Sequence, residues 1–170
     1  MAEALRPVGG KVDARRVFTD PAFFVAWGGG SGLARRAPGT FGTLVAFPVH
    51  LGLASLPAAA HAGAIALLLA LGTWACAVVG RRLGVHDPGG IVIDEIVAFL
   101  VVLWAIPPTA LAWLSAFVLF RVFDIAKPWP IGWLDRTVPG AIGVMLDDLA
   151  AAAATLLVMR LTAIVAGGWA

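Results

Sequence analysis

Charge is what this sequence has least of. Of 170 residues, 13% are Asp, Glu, Lys or Arg and 61% are hydrophobic, with a mean hydropathy of +0.94. An ordinary soluble domain carries roughly 25% charged residues, so about half the usual polar surface is missing. A buried core cannot absorb that much apolar surface in a chain of this size, which points to lipid in place of water around much of it. Cysteine is almost absent: Cys76 stands alone, which excludes an internal disulfide and any multi-cysteine metal site. Its spacing to Arg82 matches a Cys-x5-Arg pattern, but an apolar helix end is not a phosphate-cradling loop. Lysine is confined to Lys11 and Lys127, so the Lys-x6-Arg-Pro signature of histidine-nucleophile phosphatases is missing. The Asp-x-Asp and Asp-Gly-x2-Ala-Arg phosphotransfer patterns are missing too, as is the Gly-Lys-Ser/Thr of a nucleotide-binding P-loop. A net charge of +2 is too small to argue for nucleic acid as a partner, and no basic patch with interleaved aromatics appears. Nothing indicates a protein partner.

What is present is a set of five apolar runs, at 44–56, 62–80, 91–106, 110–123 and 144–166. A transmembrane helix needs about 20 residues, with a range near 17–25. The second and fifth runs meet this alone. The other three require extension into the interface or burial within a bundle, and Pro48 is placed to kink the first. The expected fold is all-α: a membrane-embedded bundle of about five helices, forming one domain over 21–170 behind a flexible leader, 1–20. That leader is basic but has no apolar core of a signal peptide.

The placement of charge gives the topology. With the N-terminus in the cytoplasm, five crossings put 1–43, 81–92 and 124–143 on that side. These regions and the adjoining helix ends hold eleven of the twelve Lys and Arg residues and all ten acids. The opposite loops hold none, which is the positive-inside asymmetry. Arg160, in the last run, is the exception.

Five carboxylates then share one membrane depth. Asp94 and Glu95 begin the third run, Asp147 and Asp148 lie near the start of the fifth, and Asp124 ends the oppositely directed fourth. Neighbouring helical residues point about 100° apart, so each acidic pair offers one carboxylate inward and one sideways. Clustered carboxylates repel unless protonated or neutralised, and an all-oxygen set suits a hard cation such as Mg²⁺ or Mn²⁺. Arg121 is three residues before Asp124 and shares its face; Lys127, Arg136, His86 and Asp87 lie nearby. Cations beside a metal-binding acidic cluster suggest a phosphate-bearing substrate. The alternative is that these acids and bases only pair with one another, and Asp135–Arg136 reads equally well as a local ion pair or cap. Upstream, the glycines of 28–32 are compatible with a linker. Pro38-Gly39-Thr40-Phe41-Gly42-Thr43 places hydroxyls and amides just before an apolar run, which suits an anion at a helix N-terminus.

These blocks resemble the phosphatidylglycerophosphatase A family. They are Gly-Ser-Gly-Leu at 30–33, Pro-Gly-Thr-Phe-Gly-Thr at 38–43, Gly-Val-His-Asp at 84–87 and Ile-Asp-Glu-Ile at 93–96. Phe-Arg-Val-Phe-Asp-Ile-Ala-Lys-Pro-Trp-Pro-Ile at 120–131, Asp-Arg at 135–136 and Gly-Val-Met-Leu-Asp-Asp at 143–148 follow in the family's order. Ala98, Ala141 and Ala152 stand where the family usually has Gly, and Ala141 is expected to stiffen a loop before Asp147. The resemblance implies a Mg²⁺-dependent phosphatase of the bacterial inner membrane, acting on phosphatidylglycerophosphate from the cytoplasmic face. On this reading Asp94, Glu95, Asp124, Asp147 and Asp148 hold one or two Mg²⁺. Thr40, Arg121 and Lys127 bind phosphate, with His86 and Arg136 as further substrate contacts, and the first Gly-rich loop closes over them. Asp87 or His86 is the general acid; direct water attack and an aspartyl-phosphate both remain open. Trp129 and Trp133 suit either the headgroup region or bundle packing. A small cation transporter is the rival reading, and it requires carboxylates spread through the membrane depth.

Overall fold

A computed structural model describes residues 12–85 and 88–165, and every regular element in them is helical. Two short helices, α1 (Ala14–Thr19) and α2 (Pro21–Ala26), precede a 3₁₀ turn at Gly28–Leu33. Then come α3 (Pro38–Leu53), α4 (Ala58–Leu83), α5 (Ile93–Ala105), α6 (Ala110–Ala126), α7 (Ile131–Thr137) and α8 (Gly140–Val165).

The third apolar run explains the architecture. It is apolar on all sides after Glu95, and a helix of that kind belongs in the interior. α5 is accordingly buried over most of its length, from Ile93 through Leu103, and touches α3, α4, α6 and α8. Its 13 residues reach only about 20 Å at 1.5 Å per residue, less than the roughly 30 Å of a hydrocarbon core. Its neighbours α3, α4, α6 and α8 cover it, so its length does not have to match a bilayer. Phe99 anchors the packing, with Phe47, Phe117 and Phe120 around it at 5.3–6.1 Å between ring centroids.

α4 and α8 have 26 residues each and are long and apolar enough to cross a membrane. The bundle's outer surface is apolar as well. On α6, Leu111, Leu114, Val118, Val122 and Ile125 are exposed at helical spacing, as are Leu157, Leu161 and Ile164 on α8. A water-soluble bundle would carry charge on these stripes.

Three segments differ from the sequence reading. α3 begins at Pro38, not Leu44, so Thr40 and Thr43 belong to its first turns. Proline is favoured at that first position because its missing N–H would be unpaired anyway. α8 begins at Gly140, so Ala141 stiffens a helix rather than a loop. The glycines of 28–32 form no linker: Gly28, Gly29 and Gly30 adopt positive φ in a packed turn. A Cβ at Gly32 would sit 2.1 Å from the Gly90 carbonyl oxygen, and Val92 N–H donates to the Ala26 carbonyl beside it at 2.9 Å. Within the stretch read as a leader, α1 packs onto the domain through buried Val17, and Asp20 pairs with Arg82.

Candidate active site

The helix directions bring one end of each long element together. α3, α5 and α8 start at this end and α6 finishes there. They enclose a cavity of about 140 Å³ whose walls are Pro38 and Gly39 of α3, Gly89 and Ile91 of the loop before α5, and Asp94 and Glu95 of α5. Asp124 and Lys127 at the end of α6, Asp135 of α7, and Gly143, Val144, Asp147 and Asp148 of α8 complete it.

Asp94, Glu95 and Asp148 each offer an oxygen within 4.8 Å of the others. At an effective dielectric near 20, two full charges at that distance repel by roughly 3–4 kcal/mol. Three such contacts need a proton or a cation to relieve them. Asp147, one residue before Asp148, lines the same cavity and accepts a hydrogen bond from Lys127 Nζ. The same ammonium donates to Asp135 at 2.6 Å. Asp124 pairs with Arg121, whose guanidinium also lies 3.7 Å from Glu95 and donates to Thr43 Oγ1 at 3.4 Å.

Two carboxylate oxygens at the cavity, Glu95 Oε2 and Asp147 Oδ1, are buried with no hydrogen-bond partner. Orphaned acceptors of this kind are uncommon in folded proteins. Together with the three converging oxygens, they fit a hard, oxygen-preferring cation.

Lys127 is the only lysine among the described residues, and it is held in a left-handed conformation, φ 40°. Such backbone costs on the order of 1–3 kcal/mol and persists where surroundings enforce it. Here Lys127 is the C-cap of α6, its N–H donating to the Phe123 carbonyl, while its side chain is held by two carboxylates. Partial burial works to lower the Lys127 pKa, but hydrogen bonds to Asp135 and Asp147 and their charges win and raise it well above its ordinary value. The Lys127 hydrogen bond in turn holds Asp135 below the usual carboxylate range.

Of the residues singled out from sequence, Asp94, Glu95, Asp124, Asp147, Asp148 and Lys127 line the cavity. Arg121 stands behind it, joining Asp124 to Glu95. Thr40 is not among the cavity's lining residues, and Arg136 is exposed on α7. His86 and Asp87 lie outside the described residues. The glycine turn at 28–32 packs on the segment before α5 and does not line the cavity. Trp129 and Trp133 are 83% and 52% exposed, so neither is packed inside the bundle.

Sequence reading missed Asp135 as the partner of Lys127, and it missed Gly39. A Cβ on Gly39 would lie 2.0 Å from Glu95 Oε1 and 3.1 Å from Arg121 Nη1; the first turn of α3 is the wall against which the Glu95 carboxylate rests. The acids and Thr43 were visible as residues, but this close approach was not.

A helical bundle with an apolar surface, whose acidic cavity joins a carboxylate cluster able to hold a metal to a lysine, is suited to chemistry on a phosphate-bearing lipid. The chain belongs to the phosphatidylglycerophosphatase A family, whose model matches residues 24–163. The phosphatidylglycerophosphatase A of Escherichia coli is 39% identical over 139 residues, 81% of each chain. That of Haemophilus influenzae is 41% identical over 142 residues, 82% of this chain and 87% of its own. A Bacteroides thetaiotaomicron relative provisionally named a phosphatidylinositol-3-phosphatase is 36% identical over 136 residues, 75% of this chain and 84% of its own. No solved structure matches the chain.

Proposed function

We propose that this protein hydrolyses the terminal phosphomonoester of phosphatidylglycerophosphate, releasing phosphate and phosphatidylglycerol. Family membership supplies the activity. The observation that carries the mechanism is the convergence of Asp94, Glu95 and Asp148 beside a cavity that Lys127 also lines. In our reading these three carboxylates hold Mg²⁺, and Asp147 and Asp124 complete or orient the set through their pairs with Lys127 and Arg121. When bound, such an ion polarises a phosphoryl oxygen and makes water a better nucleophile.

The chain's own residues do the rest. Lys127 exchanges part of its contact with Asp147 and Asp135 for a phosphate oxygen as substrate enters. Arg121 fixes Glu95 and Asp124, and Thr40 and Arg136 contact the headgroup from outside the cavity. A water oxygen bonds to phosphorus, the bond from phosphorus to the glycerol oxygen breaks, and Asp87 or His86 gives that oxygen its proton. Gly89, two residues beyond Asp87, lines the cavity, which supports this choice of acid.

We place the protein in the bacterial inner membrane with five helices crossing or buried in the bilayer and the cavity facing the cytoplasm. The positive-inside distribution supports that orientation. Exposed Trp129 and Trp133 would sit at headgroup height, where indoles are favoured. A cation transporter is not favoured: among the described residues the helices carry their carboxylates at one end only.

The test is phosphate release from phosphatidylglycerophosphate in detergent, with and without Mg²⁺, for wild type, Asp94→Asn and Asp148→Asn. We expect Mg²⁺-dependent turnover in the wild type and a loss of at least 100-fold in each variant. Unchanged turnover in both would sink the metal-site assignment. A parallel assay on phosphatidylinositol 3-phosphate checks the headgroup, and faster release from that lipid would move the substrate assignment to it.

A further inference from the structure

At the end of the bundle away from the acidic cavity, two histidines face each other. His50 lies in the last turn of α3 and His61 in the first turn of α4, with ring centroids 5.3 Å apart. Both are buried, at 8% and 4% exposure. Trp113 of α6 meets His50 edge-on at 5.8 Å, and Trp104 of α5 lies 6.0 Å from His61. His50 Nδ1, His61 Nε2 and Trp113 Nε1 are each buried without a hydrogen-bond partner. Three orphaned polar atoms in one cluster are uncommon in a native interior. The loops at this end, 54–57 and 106–109, contain no charged residue that could supply partners.

We propose that His50 and His61 form a second metal site, for a borderline divalent cation of the zinc class, that staples the α3–α4 hairpin. Zinc and similar ions bind imidazole nitrogen at about 2.0–2.1 Å. The ion then lies roughly 3.2 Å from each ring centroid, so two rings can share it with centroids up to about 6.4 Å apart. The observed 5.3 Å falls inside that limit. Trp113 Nε1 is a donor only and cannot ligate, but it can donate to a water or hydroxide that completes the coordination. Nitrogen ligands separate this site chemically from the acidic cavity, whose all-oxygen set suits Mg²⁺ or Mn²⁺. Distance separates them too. His50 is eleven residues along α3 from Gly39 at the cavity, about 16 Å at 1.5 Å per residue.

The site is tested on the full chain in detergent, stripped of metal and re-equilibrated in millimolar Mg²⁺ to fill the carboxylate cavity. Zn²⁺ retention is then measured by dialysis for wild type, His50→Ala, His61→Ala and Asp94→Asn. The expected result is one tightly held Zn²⁺ in wild type and Asp94→Asn, with binding at least tenfold weaker in each histidine variant. Phosphatase activity should be unchanged in the histidine variants. No retention in wild type, as when a single ordered water satisfies the three atoms, overturns the proposal. So does retention that ignores both histidine substitutions. Co²⁺ added to wild type under the same conditions needs no variant: strong visible bands indicate nitrogen ligation in a low-coordinate site, and only the weak bands of an oxygen-ligated ion refute it.

Discussion

Gly39→Ala adds one methyl group and removes no functional atom, so it isolates the geometry of the site from its chemistry. The new Cβ would be built 2.0 Å from Glu95 Oε1, against a comfortable carbon–oxygen contact of about 3.3 Å. The carboxylate therefore has to retreat by more than 1 Å. The same Cβ at 3.1 Å from Arg121 Nη1 blocks one direction of retreat. Misplacement by about 1 Å at a reacting centre costs on the order of 100-fold in rate, and that is the loss expected in turnover. Stability should move little. Overpacking costs about 1–3 kcal/mol, and replacing a helical glycine recovers up to roughly 1 kcal/mol. Gly52→Ala is the control, on the same helix with nothing within 4 Å of its Cβ. Phosphate release and thermal unfolding in detergent, run on both variants, separate the two effects. A Gly39→Ala enzyme with wild-type turnover would refute the placement of Glu95 at the reacting centre.

Other expectations concern Lys127 and the membrane. Lys127→Ala strips the cation from Asp135 and from buried Asp147, and should lower stability by about 1–3 kcal/mol as well as activity; Lys127→Arg, too broad for the two-carboxylate cradle, should restore stability better than turnover. For pH, Asp135 is depressed in the fold by Lys127, so its stabilising contribution is complete above its unfolded value near 4 and is lost as pH falls through its lower folded value. Lys127 is raised, so its contribution is complete below about 10.4 and is lost only as pH climbs through a still higher value. The difference in unfolding temperature between wild type and Asp135→Asn should thus be flat from about pH 5 to 10 and shrink below about 4; a steady slope across neutral pH would contradict the pairing. The chain should also stay in the membrane fraction after an alkaline wash, and its release would show that the exposed apolar stripes face another protein surface rather than lipid.

Much of this arrangement can be read from residue spacing. Opposite run directions place Asp124 at the depth of Asp94 and Asp148, and the interval from Arg121 to Asp124 announces their pairing. The total burial of α5 follows from a run that is apolar on every face. What is hidden depends on chain reversal. Lys127 reaches both Asp135 and Asp147 only because α7 folds the chain back after Trp129-Pro130, and no local pattern encodes that return. Helix starts were obscured for a different reason. Gly, Thr and Pro at 38–43 read as loop by propensity, but packing of Gly39 and Gly42 against α5 selects residues with no side chain, and tertiary contact overrides propensity. His50 and His61 face each other only through the α3–α4 hairpin, so neither attracts notice alone.

The bundle carries its chemistry at one end and aromatic and imidazole rings at the other. In the membrane orientation proposed above, such a protein would be committed to a single leaflet. It converts lipid that presents its phosphate at the cavity mouth, and a molecule of the same lipid across the bilayer is out of reach until it flips. The rate at which lipids change sides, rather than any property of the cavity, then sets how fast the far leaflet receives product.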